Sequence, residues 1–112
     1  MRALVEAGFS PGTLELPAEA PVFAGHFPGR PLLPGAALVE AARLAAEAEL
    51  GRGLRLAALE RAKFSGEVPG GAAVSLTSEL REAGEGAWQS RVSARCADEV
   101  VATLRLRFEA LP

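Results

Sequence analysis

The sequence predicts an α+β fold in which an antiparallel sheet wraps around one long central helix. Two observations carry that prediction. Residues 36–49 are rich in alanine and leucine and apolar on nearly every side, and a helix of that kind must be enclosed by other structure. Beyond Gly53, four long runs alternate apolar and polar residues with a period of two, which gives each run a single buried face. A sheet of such strands curled about the helix buries both apolar sets at once.

Taken in order, Phe9-Ser10-Pro11-Gly12 reads as turn chemistry, which leaves residues 13–16 as a short strand closed by Pro17. Residues 21–23 read as a second short extended piece. The helix follows, with Gly51 standing where a left-handed C-terminal cap is expected. Its polar residues Glu40, Arg43 and Glu47 fall at i, i+3 and i+7, on one narrow stripe. Residues 54–64 form a long extended run, with Leu54, Leu56, Ala58, Ala62 and Phe64 expected on the apolar side, and Pro69-Gly70-Gly71 beyond it. Val74, Leu76 and Leu80 mark the next strand, and Gly84-Glu85-Gly86 a hairpin loop. Trp88, Val92, Ala94 and Cys96 mark the third, and Ala97-Asp98 turns the chain into a last strand marked by Ala102, Leu104, Leu106 and Phe108.

With 112 residues, 49% of them hydrophobic and 23% charged, residues 1–112 are expected to form one domain. A core this small, with sheet edges to cover, favours pairing with a second copy. A net charge of -2 recommends neither nucleic acid nor an anionic membrane as a partner. With Cys96 the only cysteine and His26 the only histidine, no internal disulfide and no multi-ligand His/Cys metal centre can be assembled. No metal or other cofactor is expected. The first eight residues lack the apolar stretch of a secretory signal and no run reaches membrane-spanning length, so the expectation is a soluble, cytoplasmic protein.

Chemistry concentrates in His26-Phe27-Pro28-Gly29-Arg30-Pro31-Leu32-Leu33-Pro34-Gly35. Prolines at 28, 31 and 34 restrict themselves and the residues before them, which makes a stiff segment able to hold His26 at a set distance from the helix start. There the backbone N–H groups near Gly35 and Ala36 lack intrahelical acceptors and carry the positive end of the helix dipole. A near-neutral histidine beside such donors suits proton removal next to a carbonyl, with stabilisation of the charge that develops on oxygen. Glu40, in an otherwise apolar setting, suits the donation of a proton. The same residues admit plainer roles: a capping histidine, and an ion-paired surface stripe of Glu40, Arg43 and Glu47.

The run His26-Phe27-Pro28-Gly29-Arg30-Pro31-Leu32-Leu33-Pro34-Gly35-Ala36-Ala37-Leu38-Val39-Glu40-Ala41 closely resembles the signature of the (3R)-3-hydroxyacyl-[acyl-carrier-protein] dehydratases. Lys63-Phe64-Ser65-Gly66-Glu67-Val68-Pro69-Gly70 resembles the Lys-Phe…Val-Pro-Gly block of the same family. The resemblance implies the hotdog fold, paired as a homodimer, and dehydration of a 3-hydroxyacyl thioester, on acyl carrier protein or coenzyme A, to the trans-2-enoyl thioester. It gives His26 the C2 proton and makes Glu40 the acid that helps the 3-hydroxyl leave, the two coming from different subunits. The Gly35 N–H would bind the thioester carbonyl, with Phe27, Pro34 and Ala36 completing the substrate-binding set. Glutamate at position 40 is similar to the dehydratase-only branch. The chain departs from the family at Leu44, usually glutamine, at Gly71, usually acidic, and in a short segment before the first strand. The competing readings are an acyl-thioester hydrolase on the same fold and a non-catalytic acyl or carrier-protein binding subunit.

Arg55, Arg61, Lys63, Arg91, Arg95, Arg105 and Arg107 fall on the outward faces of the expected strands. They form either an ordinary solvated face or a basic docking patch for an acidic acyl carrier protein.

Overall fold

The structure, a computed structural model, describes residues 2–23 and 32–112. His26 and Phe27 therefore lie outside the described residues. Helix α1 (Arg2–Gly8) leads into β1 (Phe9–Ser10) and β2 (Thr13–Glu15), and a single 3-10 turn (Pro21–Phe23) follows. Helix α2 (Gly35–Leu50) comes next, and then β3 (Leu54–Phe64), β4 (Ala73–Glu82), β5 (Ala87–Cys96) and β6 (Glu99–Ala110). The six strands make one antiparallel sheet in the order β1-β2-β4-β5-β6-β3.

Helix α2 begins at Gly35 after Pro34, whose extended backbone supplies the entry, and ends at Gly51, whose left-handed φ of 67° lets its N–H return to the Glu47 carbonyl at 2.8 Å. Ala37, Ala41, Ala42 and Ala46 are fully buried. Their small side chains let Val74, Leu76, Val92, Ala94, Leu104, Leu106 and Phe108 of the sheet close over the helix in one continuous core. The apolar alternation in β4, β5 and β6 is thus the face turned toward α2.

The edge strand β3 departs from the expected pattern. Register shifts occur between Leu56 and Ala58 and again between Leu59 and Arg61. Each extra residue moves the alternation by one, so Ala58 pairs with outward-facing Arg107, and Leu59 with buried Leu106. The inner set is therefore Leu54, Leu56, Leu59, Ala62 and Phe64. Of these only Leu54 is buried; Leu56, Leu59 and Phe64 are 37%, 45% and 50% exposed. They sit at the outer edge of the sheet, where a single chain has too little structure to cover them.

Three further differences have local causes. Residues 21–23 are not extended: Pro21 has the fixed φ that suits a first helical turn, and Phe23 donates its N–H to Ala20 at 3.1 Å. Phe9 and Ser10 pair with Leu14 and Thr13 across Pro11-Gly12, so the expected turn is narrower than its four residues. The sequence reading assigned no element to residues 2–8. A helix of this length is unstable alone, and it persists here because Val5 is fully buried against the core.

The β5–β6 hairpin closes through Ala97 and Asp98 at φ 50° and 65°. Two positive φ values define the turn that matches strand twist, and they favour Asn-Gly. Replacing Ala97→Asn together with Asp98→Gly should raise the free energy of unfolding by about 1 kcal/mol. Urea denaturation of the pair against wild type reads this directly; an unchanged midpoint would show the turn to be unstrained.

Candidate active site

The two sequence blocks singled out above meet in space. Leu32 bridges Pro69, and the Leu33 N–H donates to the Val68 carbonyl at 2.8 Å. Around this junction lies a cavity of about 260 Å³ lined by residues of both blocks, among them Leu33, Gly35, Leu38, Phe64 and Val68. The cavity opens at the start of α2. As first residue of the helix, Gly35 has no intrahelical acceptor for its N–H, and the dipole favours negative charge there.

Phe64 explains why position 35 is glycine. A Cβ on Gly35 would lie 2.7 Å from Cζ of the Phe64 ring, well inside van der Waals contact. The ring rests on the bare backbone and forms one wall of the cavity, half exposed. Pro34 is buried beneath the helix start and Ala36 is exposed beside it.

Glu40 sits elsewhere on the helix. It stands five positions after Gly35, about 140° around the axis, and it is not among the residues lining the cavity. Its Oε1 accepts hydrogen bonds from Arg43, from Nε at 2.9 Å and from Nη2, and lies 3.6 Å from Arg2 Nε of α1. No described residue bonds Oε2. Arg43 in turn pairs with Glu47 Oε2 at 2.8 Å, donates to the Leu54 carbonyl at 3.3 Å and lies 4.0 Å from Glu6. Glu47 Oε2 also accepts the Leu54 N–H at 2.7 Å.

The predicted stripe is thus ion-paired and only partly solvated. The Arg43 side chain is 5% exposed, and Glu40 and Glu47 are about 20% exposed. Hydrogen bonding to Glu40 first, then the charges of Glu40 and Glu47, raise the pKa of the Arg43 guanidinium against the opposing effect of burial. Arg2 and Glu6 were not anticipated around Glu40; Arg43 was, on the same helix stripe. The signal for Arg43 was present, since a cation at i+3 from one glutamate and i−4 from another on an apolar helix can satisfy both. Among the described residues no group of three or more His, Cys, Asp or Glu is placed to hold a metal, and none of the helices is long and apolar enough to cross a membrane.

Residues 10–105 match the family model for ApeI-like proteins, described as ApeI dehydratase. The chain belongs to the ApeI-like dehydratase family. Curated relatives agree. The chain is 32% identical over 104 residues to a 3-hydroxyacyl-[acyl-carrier-protein] dehydratase FabZ of Pelotomaculum thermopropionicum, an alignment covering 87% of this chain and 74% of the relative. It is 34% identical over 92 residues to the FabZ of Ralstonia nicotianae, covering 73% of this chain and 56% of that one. The chain therefore spans about half to three quarters of the length of these relatives.

Solved structures place the fold. The dehydratase heterocomplex ApeI:P from Xenorhabdus doucetiae superposes with a TM-score of 0.69 at 23% identity, covering 89% of each chain. The fluoroacetyl-CoA thioesterase FlK superposes with a TM-score of 0.70 at 22% identity, covering 93% of this chain and 89% of that one. The expected hotdog arrangement, a sheet wrapped on a central helix, is the fold of this member of the ApeI-like family.

The Arg43 network gives a stability prediction. Replacing Arg43→Met keeps the volume but leaves Glu40, Glu47 and the Leu54 carbonyl without their partner, and should cost about 3 kcal/mol. Glu40→Gln, which keeps a hydrogen-bond acceptor, should cost less than half as much. Chemical denaturation of both variants tests the ranking, and equal losses would refute it.

Proposed function

We propose that this chain dehydrates a 3-hydroxyacyl thioester through a site shared between two copies. His26 removes the proton at C2, and the enolate-like charge on the thioester oxygen is held by the Gly35 N–H at the start of α2. The C3–O bond then breaks, the hydroxyl takes a proton from Glu40 and leaves as water, and the trans-2-enoyl thioester remains. Atoms balance without any cofactor. Phe27, Pro34 and Ala36 border the thioester in this reading.

One observation supports a shared site over a site within one chain: Glu40 lies outside the cavity that contains Gly35 of the same chain. A second copy facing the first can bring a carboxyl group to each cavity. The unpaired edge of β3 and its exposed Leu56, Leu59 and Phe64 offer the place where the copies join. Covering such side chains contributes roughly 1.5–3 kcal/mol each. Carrier-protein thioesters are the favoured substrate class, because the curated relatives carry that specificity in their names.

Dehydration is read by the absorbance of the enoyl thioester formed from short and medium 3-hydroxyacyl substrates. His26→Ala and Glu40→Gln should each lower the rate at least about a hundredfold. Mixing and re-annealing equal amounts of the two inactive variants should restore about a quarter of wild-type activity, since half the pairs are mixed and each mixed pair holds one intact site. No recovery would place both groups in one chain. Release of free thiol without enoyl product would instead establish the hydrolase reading.

A further inference from the structure

The face of the sheet turned away from α2 carries a second constructed feature. Strand register brings Glu79 of β4, Arg91 of β5, Arg105 of β6 and Arg61 of β3 into one row across four strands. The next row on the same face holds Thr77, Ser93, Thr103 and Lys63. Between the rows lies a cavity of about 420 Å³ whose lining includes the three arginines and the three hydroxyl residues. Arg81 and Arg107 lie in the adjoining row on either side of Gln89.

The three arginines of this row repel one another. Arg91, Arg105 and Arg61 stand directly opposite one another, and like charges at facing positions destabilise a sheet. The carboxylates nearby do not resolve the excess. Glu60 lies 3.9 Å from Arg105 Nε, beyond hydrogen-bond range, and accepts instead from Gln89 at 2.8 Å. Among the described residues no ion pair joins Glu79 to Arg91, and Arg105 Nε, enclosed within the fold, finds no hydrogen-bond partner. Three guanidiniums, one with its Nε unbonded, and three hydroxyls line one concavity, with Glu79 the one carboxylate among them. Guanidinium forks and hydroxyl donors are the groups that bind tetrahedral oxyanions.

We infer that this cavity binds the phosphate or diphosphate group of a small organic ligand, at a site separate from the thioester chemistry. The sheet stands between the two: Val92 and Leu104, on the residues that alternate with the cationic row, are buried in the core against α2. A concavity of this volume favours a compact phosphorylated group over the broad surface of an acidic carrier protein, which the basic strands suggest from sequence alone. Lys63 lies in the hydroxyl row and Arg107 in the neighbouring row, adding to the positive field.

The test uses the full chain and inorganic pyrophosphate, with sodium chloride added to hold ionic strength constant. A ligand that binds only the folded state raises the thermal midpoint, so wild type should gain several degrees at millimolar pyrophosphate. Arg105→Gln should abolish that gain and weaken pyrophosphate binding at least tenfold by calorimetry. Without ligand, Arg91→Gln and Arg105→Gln should fold with midpoints at or above wild type, because a like-charge contact has been removed. Coenzyme A and adenosine 5′-diphosphate, compared under the same conditions, distinguish a thioester carrier from a free nucleotide as the source of the phosphate. No saturable pyrophosphate binding, binding unchanged in Arg105→Gln, or binding of an acidic peptide alone would each overturn the inference. Since dehydration is not the readout, an inactive His26→Ala protein that still binds pyrophosphate leaves this site standing.

Discussion

A single buried guanidinium ties the molecule together. Arg43 reaches Glu40 and Glu47 on its own helix, Glu6 on α1 and the carbonyl at the head of β3. A charge this deep costs free energy unless every donor is used, and here most of the fork is engaged. The alanine-rich helix needs such a fastening. Its small side chains permit close approach by the sheet, but they offer little shape to fix which way the helix is turned.

That fastening also gives Glu40 an unusual setting for the proton donor proposed at this position. One oxygen is occupied by arginine, while no described residue bonds the other. The carboxyl group is oriented, partly shielded and still able to present one oxygen outward. One turn along the helix from Glu40 stands Leu44, which has no polar group to offer it. Arg43, one residue earlier, supplies the polar contact to Glu40 that the leucine cannot.

Much of the fold was legible because its signals are local. The change from a continuous apolar helix to period-two strands located α2 to within a residue at each end, and β3 at its observed limits. Glycines at 51, 84 and 86 marked real chain reversals. What could not be read depends on partners far away in sequence. The bulges of β3 appear only when its residues are matched against β6, so strict alternation put Ala58 in the place of Leu59. Helix α1 exists through the burial of Val5, a tertiary effect. The places of Glu40 and Gly35 along and around the helix follow from their spacing, but the reach of Phe64 over Gly35 depends on packing.

The position of Phe64 has a wider meaning. Its ring is carried by the outermost strand, yet it leans on the first peptide of the helix at the cavity's mouth. Whatever lies along that outer strand therefore limits how far the ring can swing. In the proposed pair, access to the cavity and the company the chain keeps are coupled through this one side chain, so a change of neighbour would alter the size of group admitted.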